Sequence, residues 1–390
     1  MTKKAWYYAG AACIAGTCAL ATAYAAPPAG RAAPSAAIAS AIAAAPAMPA
    51  PPAYDFSSVD AAFESSAIVN GALIIGTADG NIHEYTKGNF DSDKAYAIAS
   101  SSKWLTATLV MRMVEAGKLS LGDHPYPRLT YWTSDPNDTR SAVTLQQTLS
   151  LTSGFNATPI TVTCVNNPVP TLQGCAQTLY NNGVTTTPGS TFSYGPAHPE
   201  IAAAVAEVAG AKSFDQLFAD YVATPLGMNC TRYVLSSVSA ALDLGARACN
   251  TTYLANANTW AAGGAVSSAH DYAKLLRALL AGGFISDTNN FLAPHTVGLP
   301  RGYVPASAGS MDWQYALGSW NECPYTAWNQ TCADNKINSA PGAYGWLPWI
   351  DRKHGYYGLI ATRIAVGEGD TKSVPIEQQL QPLILAAMGQ

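Results

Sequence analysis

Strand-forming sequence stands at both ends of this chain with helical sequence between, and that order limits the fold more than any other feature. Residues 71–88 read GALIIGTADGNIHEYTKG: an apolar β-rich run, the turn residues TADGN, then a second strand. Residues 343–366 read AYGWLPWIDRKHGYYGLIATRIAV, two more strands around the turn DRKHG. Helical signals fill the middle. Residues 102–120, SKWLTATLVMRMVEAGKLS, place apolar side chains at 105, 109 and 113 and again at 110 and 114, with Gly117 as the stop. HPEIAAAVAEVAG (198–210) and SFDQLFADYVATPLG (213–227) read as further helices. In 267–283, SSAHDYAKLLRALLAGG, Ser268 and Asp271 resemble a capping box, and Gly282-Gly283 ends the helix. SVPIEQQLQPLILAAMG (373–389) is helical, with a bend or an end expected at Pro382. The expected fold class is α+β: an antiparallel sheet made from both chain ends, with a mainly helical region inserted. The sequence contains no internal repeat.

The first 56 residues differ from the rest. MTKK is a basic head, and the uncharged apolar run after it ends in Ala23-Tyr24-Ala25, so residues 1–25 read as a secretory signal peptide. An uncleaved membrane anchor is the alternative, but the run is built of Ala, Gly and Thr rather than Leu and Ile. Residues 26–56 read as a linker. Its Ala/Pro stretch 27–53 carries one charge and no aromatic residue, too little to bury for folding. Residues 57–390 are expected to form one domain, periplasmic or secreted, either free or tethered to the membrane. Beyond the signal lie Cys164, Cys175, Cys230, Cys249, Cys323 and Cys332, with no C-x-x-C pair. An even number in an exported chain points to disulfides, and pairing of neighbours is expected because each pair closes a short loop. No metal site and no cofactor is expected. A net charge of −4 with no basic patch argues against a nucleic-acid partner.

The candidate chemistry starts at IASSSKWL, residues 98–105. No other lysine in the chain has a serine three positions ahead of it. On a helix, positions three apart share a face, so Ser100 lies beside Lys103 while Ser101 and Ser102 rotate away. The apolar helix that follows would bury Lys103, and desolvation lowers an amine's pKa. A neutral amine beside a hydroxyl is a general base beside a nucleophile. The four residues alone also fit a helix cap at Ser100 and a lysine that snorkels to solvent.

Six segments in order resemble the serine β-lactamase and penicillin-binding-protein superfamily, in the branch of class C β-lactamases, D-alanyl-D-alanine carboxypeptidases and β-lactamase-like esterases. They are IASSSKWLTATLVMRMVEAGKLSLGD, VTLQQTLSLTSGF (143–155), TTPGSTFSYGPAHPEIAAAVAEVAG (186–210), ATPLGMNCT (223–231), AAGGAVSSAHDYAKLLRALLAGG (261–283) and SAPGAYGWLPWID (339–351). The resemblance covers roughly residues 57–388. It implies the β-lactamase/transpeptidase-like fold, Ser100 as the acylated nucleophile, Lys103 as its base and Tyr194 as a phenol relaying protons to the leaving group.

Two positions depart from the family pattern. Tyr194-Gly195-Pro196 stands where the family has Tyr-x-Asn, so no side-chain amide is present. Ala340-Pro341-Gly342 stands where the family has Lys- or His-x-Gly, so no cation grips a substrate carboxylate. Gly342 still permits close backbone approach, and the amide of Ala343 or a neighbour is the expected second oxyanion donor. His198, four residues after Tyr194, is a candidate polar substitute for the missing Asn; a cap or a surface residue is the other reading. The expected function is an exported serine hydrolase that cleaves esters, acting on a small-molecule ester or peptide-like substrate and working as a monomer. A D-alanyl-D-alanine carboxypeptidase or weak β-lactamase, and a catalytically silent relative that binds cell-wall peptide, are the alternatives. Abundant Trp and Tyr near 318–332 and 344–350 fit either an apolar cleft or ordinary core.

Overall fold

The computed structural model describes residues 54–155, 164, 171–233, 246–249, 259–364 and 369–390. The expected signal peptide and residues 26–53 of the expected linker lie outside the described residues. The folded unit starts slightly before the expected boundary and runs over Tyr54–Gln390. Phe56 is buried, stacked on His83 at 4.5 Å, and shares a core with Val59 and Phe63 of helix α1 (Ser57–Glu64).

The strands are β1 (Gly71–Thr77), β2 (Gly80–Lys87), β3 (Tyr96–Ala97), β4 (Arg232–Tyr233), β5 (Ala265–Ser267), β6 (Gln314–Tyr315), β7 (Trp320–Asn321), β8 (Ile337–Ser339), β9 (Leu347–Asp351) and β10 (Tyr356–Thr362). Seven form one antiparallel sheet in the order β2-β1-β10-β9-β8-β7-β6, and the other three form a small sheet in the order β3-β5-β4. The termini meet as the sequence implies, since β1 pairs with β10 from Gly71↔Thr362 to Thr77↔Tyr356. The short strands β6, β7 and β8 and the small sheet have no counterpart in the sequence expectation, because two or three residues are too few to show a period.

The main helices after α1 are α2 (Ser102–Glu115), α3 (Ala197–Gly210), α4 (Ala269–Ala281) and α5 (Gly369–Ala387). Alternation along β1 serves two cores. Leu73 and Ile75 pack with α1 and with Val374, Leu380 and Ile384 of α5. Ala72 and Ile74 pack on the other side with Trp104 and Leu105 of α2 and Leu275 and Leu276 of α4. Both faces are covered, which is why β1 and β10 read as nearly unbroken apolar runs. Each large aliphatic side chain fully buried this way contributes about 1.5–3 kcal/mol.

Helix α4 is capped by the Ser268 hydroxyl, which accepts the Asp271 N–H, and stops at Gly282 with φ +73°. Helix α5 differs from expectation by running through both Pro375 and Pro382. Both prolines lie on its exposed side, where their rings meet solvent rather than the core. Disulfides join Cys164 to Cys175, Cys230 to Cys249 and Cys323 to Cys332. No helix among the described residues is long and apolar enough to cross a membrane.

Candidate active site

The nucleophile candidate sits on a turn that the structure holds from several sides. Strand β3 leads into a 3-10 turn, Ala99–Ser101, and α2 begins only at Ser102. Ala99 has φ +46°, a left-handed conformation that costs a non-glycine residue roughly 1–2 kcal/mol. The Ser101 hydroxyl donates to the carbonyls of Ala340 at 2.6 Å and Trp346 at 3.1 Å. The Ser102 hydroxyl accepts the Ala265 N–H at 3.1 Å. The phenols of Tyr272 and Tyr233 donate to the carbonyls of Ser101 and Ser102 at 2.8 and 2.7 Å. Ser101 and Ser102 thus tie the turn to the strands around it. Ser100 is the serine of the three that lines the cavity. No side chain caps the start of α2, so Ser100 is not a helix cap.

Lys103 does not snorkel. It is 5 % exposed. Its Nζ lies 3.0 Å from Ser100 Oγ, 2.9 Å from the Ala262 carbonyl and 4.8 Å from the centre of the Tyr194 ring. Burial pulls the amine down to about 7, while the Glu200 carboxyl pulls the other way. A displacement of that size is roughly 4–5 kcal/mol against the ammonium. Burial pushes the Tyr194 phenol up, against a hydrogen bond from the Ser100 side chain. At neutral pH the phenol therefore keeps its proton, and the amine is the group able to accept one. Tyr194 is fixed by stacking on Trp320 at 5.5 Å and by its N–H donating to the Tyr303 carbonyl at 2.8 Å.

These groups open on a cavity of about 320 Å³, within the range of small-molecule sites. Trp260, Tyr303, Trp320 and Tyr344 line its walls, so part of the aromatic sequence does form a cleft. The N–H groups of Ser100 and Ala343 both belong to cavity-lining residues, and among the described residues neither donates to another protein group. Two free backbone donors beside a hydroxyl and an amine are the elements of an oxyanion site. Among the described residues, no group of three or more His, Cys, Asp or Glu could hold a metal ion.

A family model described as Beta-lactamase matches residues 59–380. The chain belongs to the beta-lactamase family. A curated relative, Protein flp of Staphylococcus aureus (strain MW2), is 22% identical over 138 residues. That match covers 35% of this chain and only 28% of the relative. Among solved structures, EstCE1, a hydrolase with promiscuous acyltransferase activity, is similar with TM-score 0.65 and 18% identity, covering 84% of this chain and 96% of that one. Simvastatin synthase (LovD) from Aspergillus terreus has TM-score 0.61 at 18% identity over 86% of this chain and 98% of its own. A D-stereospecific amidohydrolase from Streptomyces sp. has TM-score 0.59 at 17% identity over 86% and 99%. These likenesses share the mixed fold with its antiparallel sheet.

Within the beta-lactamase family frame, the two departures both reach the cavity. Pro196 and Pro341 line it where the pattern would place the Asn amide and a neighbour of the cation. Gly342 is needed for packing rather than as a donor. A Cβ there would stand 2.3 Å from the Ile98 carbonyl, and its N–H is already bonded to the Trp346 carbonyl at 2.8 Å. His198 is a correction: it does not line the cavity as a substitute for Asn. Helix α3 begins at Ala197 and turns the imidazole inward, where it is 1 % exposed with Nδ1 2.8 Å from Ser153 Oγ. Burial pulls it down to about 3, so it is neutral and ties the Thr152-Ser153-Gly154 segment to the Tyr194 segment. The sequence reading missed Glu200, which is fully buried and pushed up by burial to about 8. A charged residue directly before the apolar run IAAAVA (201–206), on a stretch whose other residues are all buried, was the available signal.

Proposed function

We propose that this protein is an exported serine hydrolase that cleaves ester bonds through an acyl-enzyme on Ser100. The observation that carries the reading is the 3.0 Å contact between Lys103 Nζ and Ser100 Oγ at a cavity that, among the described residues, is lined by no cation other than Lys103 itself. In the scheme, Ser100 Oγ attacks the ester carbonyl carbon while the Lys103 amine takes its proton. The carbonyl oxygen, now negative, is held by the N–H groups of Ser100 and Ala343. When the tetrahedral adduct collapses, the C–O bond to the alcohol breaks and the leaving oxygen is protonated through Lys103 and Tyr194. Water then enters by the same route, gives a proton to the amine and bonds to the acyl carbon; the C–O bond to Ser100 breaks, Ser100 Oγ takes the proton back from the amine, and the carboxylic acid leaves.

Penicillins and D-alanyl-D-alanine ends carry a carboxylate beside the scissile bond. Among the described residues, the charged side chain lining this cavity besides Lys103 is Asp370, which repels such a group. That favours esters over the carboxypeptidase or weak β-lactamase reading. The deciding assay is turnover of short-chain p-nitrophenyl esters by the protein and its Ser100→Ala variant. Loss of at least about 10³-fold is expected, and full activity in the variant overturns the nucleophile assignment. Labelling by a fluorescent penicillin that competes with ester turnover would move the reading to the carboxypeptidase class. A chain unreactive to a fluorophosphonate probe would be the silent relative.

A further inference from the structure

Glu200 has no task in the scheme above, yet it is joined to its base through a single residue, Ala262. Its Oε1 accepts the Ala262 N–H at 3.2 Å. The carbonyl of the same residue accepts a hydrogen bond from Lys103 Nζ at 2.9 Å. The same Nζ stands 3.0 Å from Ser100 Oγ. The acid, the N–H and C=O of Ala262, the amine and the hydroxyl therefore follow one another in a chain of contacts. All but Ser100 are shielded from solvent, with Glu200 and Ala262 fully buried.

We propose that Glu200 is a positioning residue of the reaction: as a neutral acid it fixes Ala262, the residue whose carbonyl aims Lys103 at Ser100. The inference rests on the reading of Ser100 as nucleophile. A carboxyl and an amine that share one buried proton have two arrangements, carboxylic acid with free amine, or carboxylate with ammonium. The second places two charges in a dry site, and both must be desolvated. Burial is the largest influence on each group and opposes both charges, whereas their mutual attraction is the smaller one. Burial lowers the amine and raises the acid, so both are driven to their neutral forms, with the proton on the acid. The other ionisable groups facing the pair are few. Tyr194 and His198 lie on the Lys103 side, both driven toward their neutral forms by burial. Glu207 on the same helix and Tyr233 of β4 act on the Glu200 side. Asp370 acts on Tyr194, and Asp215 binds the Tyr233 N–H.

A purely structural Glu200 would influence stability without altering how fast a folded protein reacts. The measurement that separates the two is the rate of Ser100 labelling by a fluorophosphonate as a function of pH. That reaction forms an O–P bond, expels fluoride and passes the serine proton to the base. Glu200→Gln keeps an oxygen for the Ala262 N–H and, like the protonated acid, carries no charge. Its acid limb should therefore coincide with that of the unaltered protein, with labelling within about twofold at every pH. Glu200→Leu removes the acceptor and should label about 10²-fold more slowly at every pH, in protein whose melting transition shows it folded. Folded Glu200→Leu that labels as fast as the unaltered protein overturns the proposal. So does an acid limb of Glu200→Gln moved to lower pH, which a carboxylate beside the amine would produce, and this variant alone decides if Glu200→Leu does not fold. Persistent labelling of Ser100→Ala would instead sink the proposed function, so the two failures are distinguishable.

Discussion

Two buried sites in this protein use glutamate against opposite partners. Behind the active-site cleft, Glu200 is linked to a lysine through Ala262. In the layer between the sheet and α5, Glu322 and Glu377 face each other, both buried, with Gln381 donating to Glu322 at 3.4 Å and to Glu377. Burial pushes Glu322 up to about 7, with Ser339 and Gln381 opposing and Asp351 adding to it. Burial and then the Glu322 charge push Glu377 up as well. The lesson is that the partner decides what a buried acid does. Opposite a lysine, protonation of the acid leaves a base free. Opposite a second acid, protonation is what keeps like charges out of the interior, and its consequence is pH-dependent stability.

The largest test acts on the first site. Lys103→Met keeps the apolar stem and removes the amine, and kcat/KM for a p-nitrophenyl ester should fall about 10²–10⁴-fold. In the unaltered protein the same quantity should rise as pH climbs through about 7, because the amine accepts a proton only after losing its own. An acid limb well away from that region would break the assignment of Lys103 as base. A smaller effect belongs to the second site. Cys323→Ser with Cys332→Ser opens the loop that follows Glu322, and urea unfolding should show a loss of about 2–3 kcal/mol. Turnover within twofold would show that the two regions are energetically separate, and a large loss of turnover would show that they are not.

The smallest effect, and the sharpest on the comparison, is Glu377→Gln. Glutamine keeps an acceptor for Gln381 and removes one of two competing charges. Folded values above the ordinary carboxyl range mean that the unaltered pair stabilises fully below about pH 4.3 and loses that contribution as pH rises through about 7. The variant should therefore match the parent near pH 4 and melt about 2–4 °C higher at pH 8. A constant offset at all pH values would mean that the pair does not titrate.

Much of this was legible in the sequence, for physical reasons that differ from residue to residue. Ser100 and Lys103 are three apart, so local geometry alone brings them together, even though the turn holding Ser100 is tighter than the helix expected there. β1 and β10 were readable because two covered faces demand continuous apolar runs. Glu200 was not readable as a partner of Lys103, because the link passes through Ala262, a third segment remote from both. His198 misled for a related reason. Spacing placed it near Tyr194, but the start of α3 at Ala197 sets which way the ring turns, and Ser153 supplies the bond that keeps it inside. The Glu322–Glu377 pair was invisible, since nothing in the local sequence of either acid reports the other.

The pairing of β1 with β10 also sets a timetable. β1 is hydrogen-bonded to β2 on one side and, on the other, to a strand made from the last tenth of the chain. Until that strand emerges during synthesis, β1 has an open edge and no sheet centre to join. Contacts between such distant segments close late and slowly. In a chain built this way the sheet centre is expected to close only when synthesis is nearly complete.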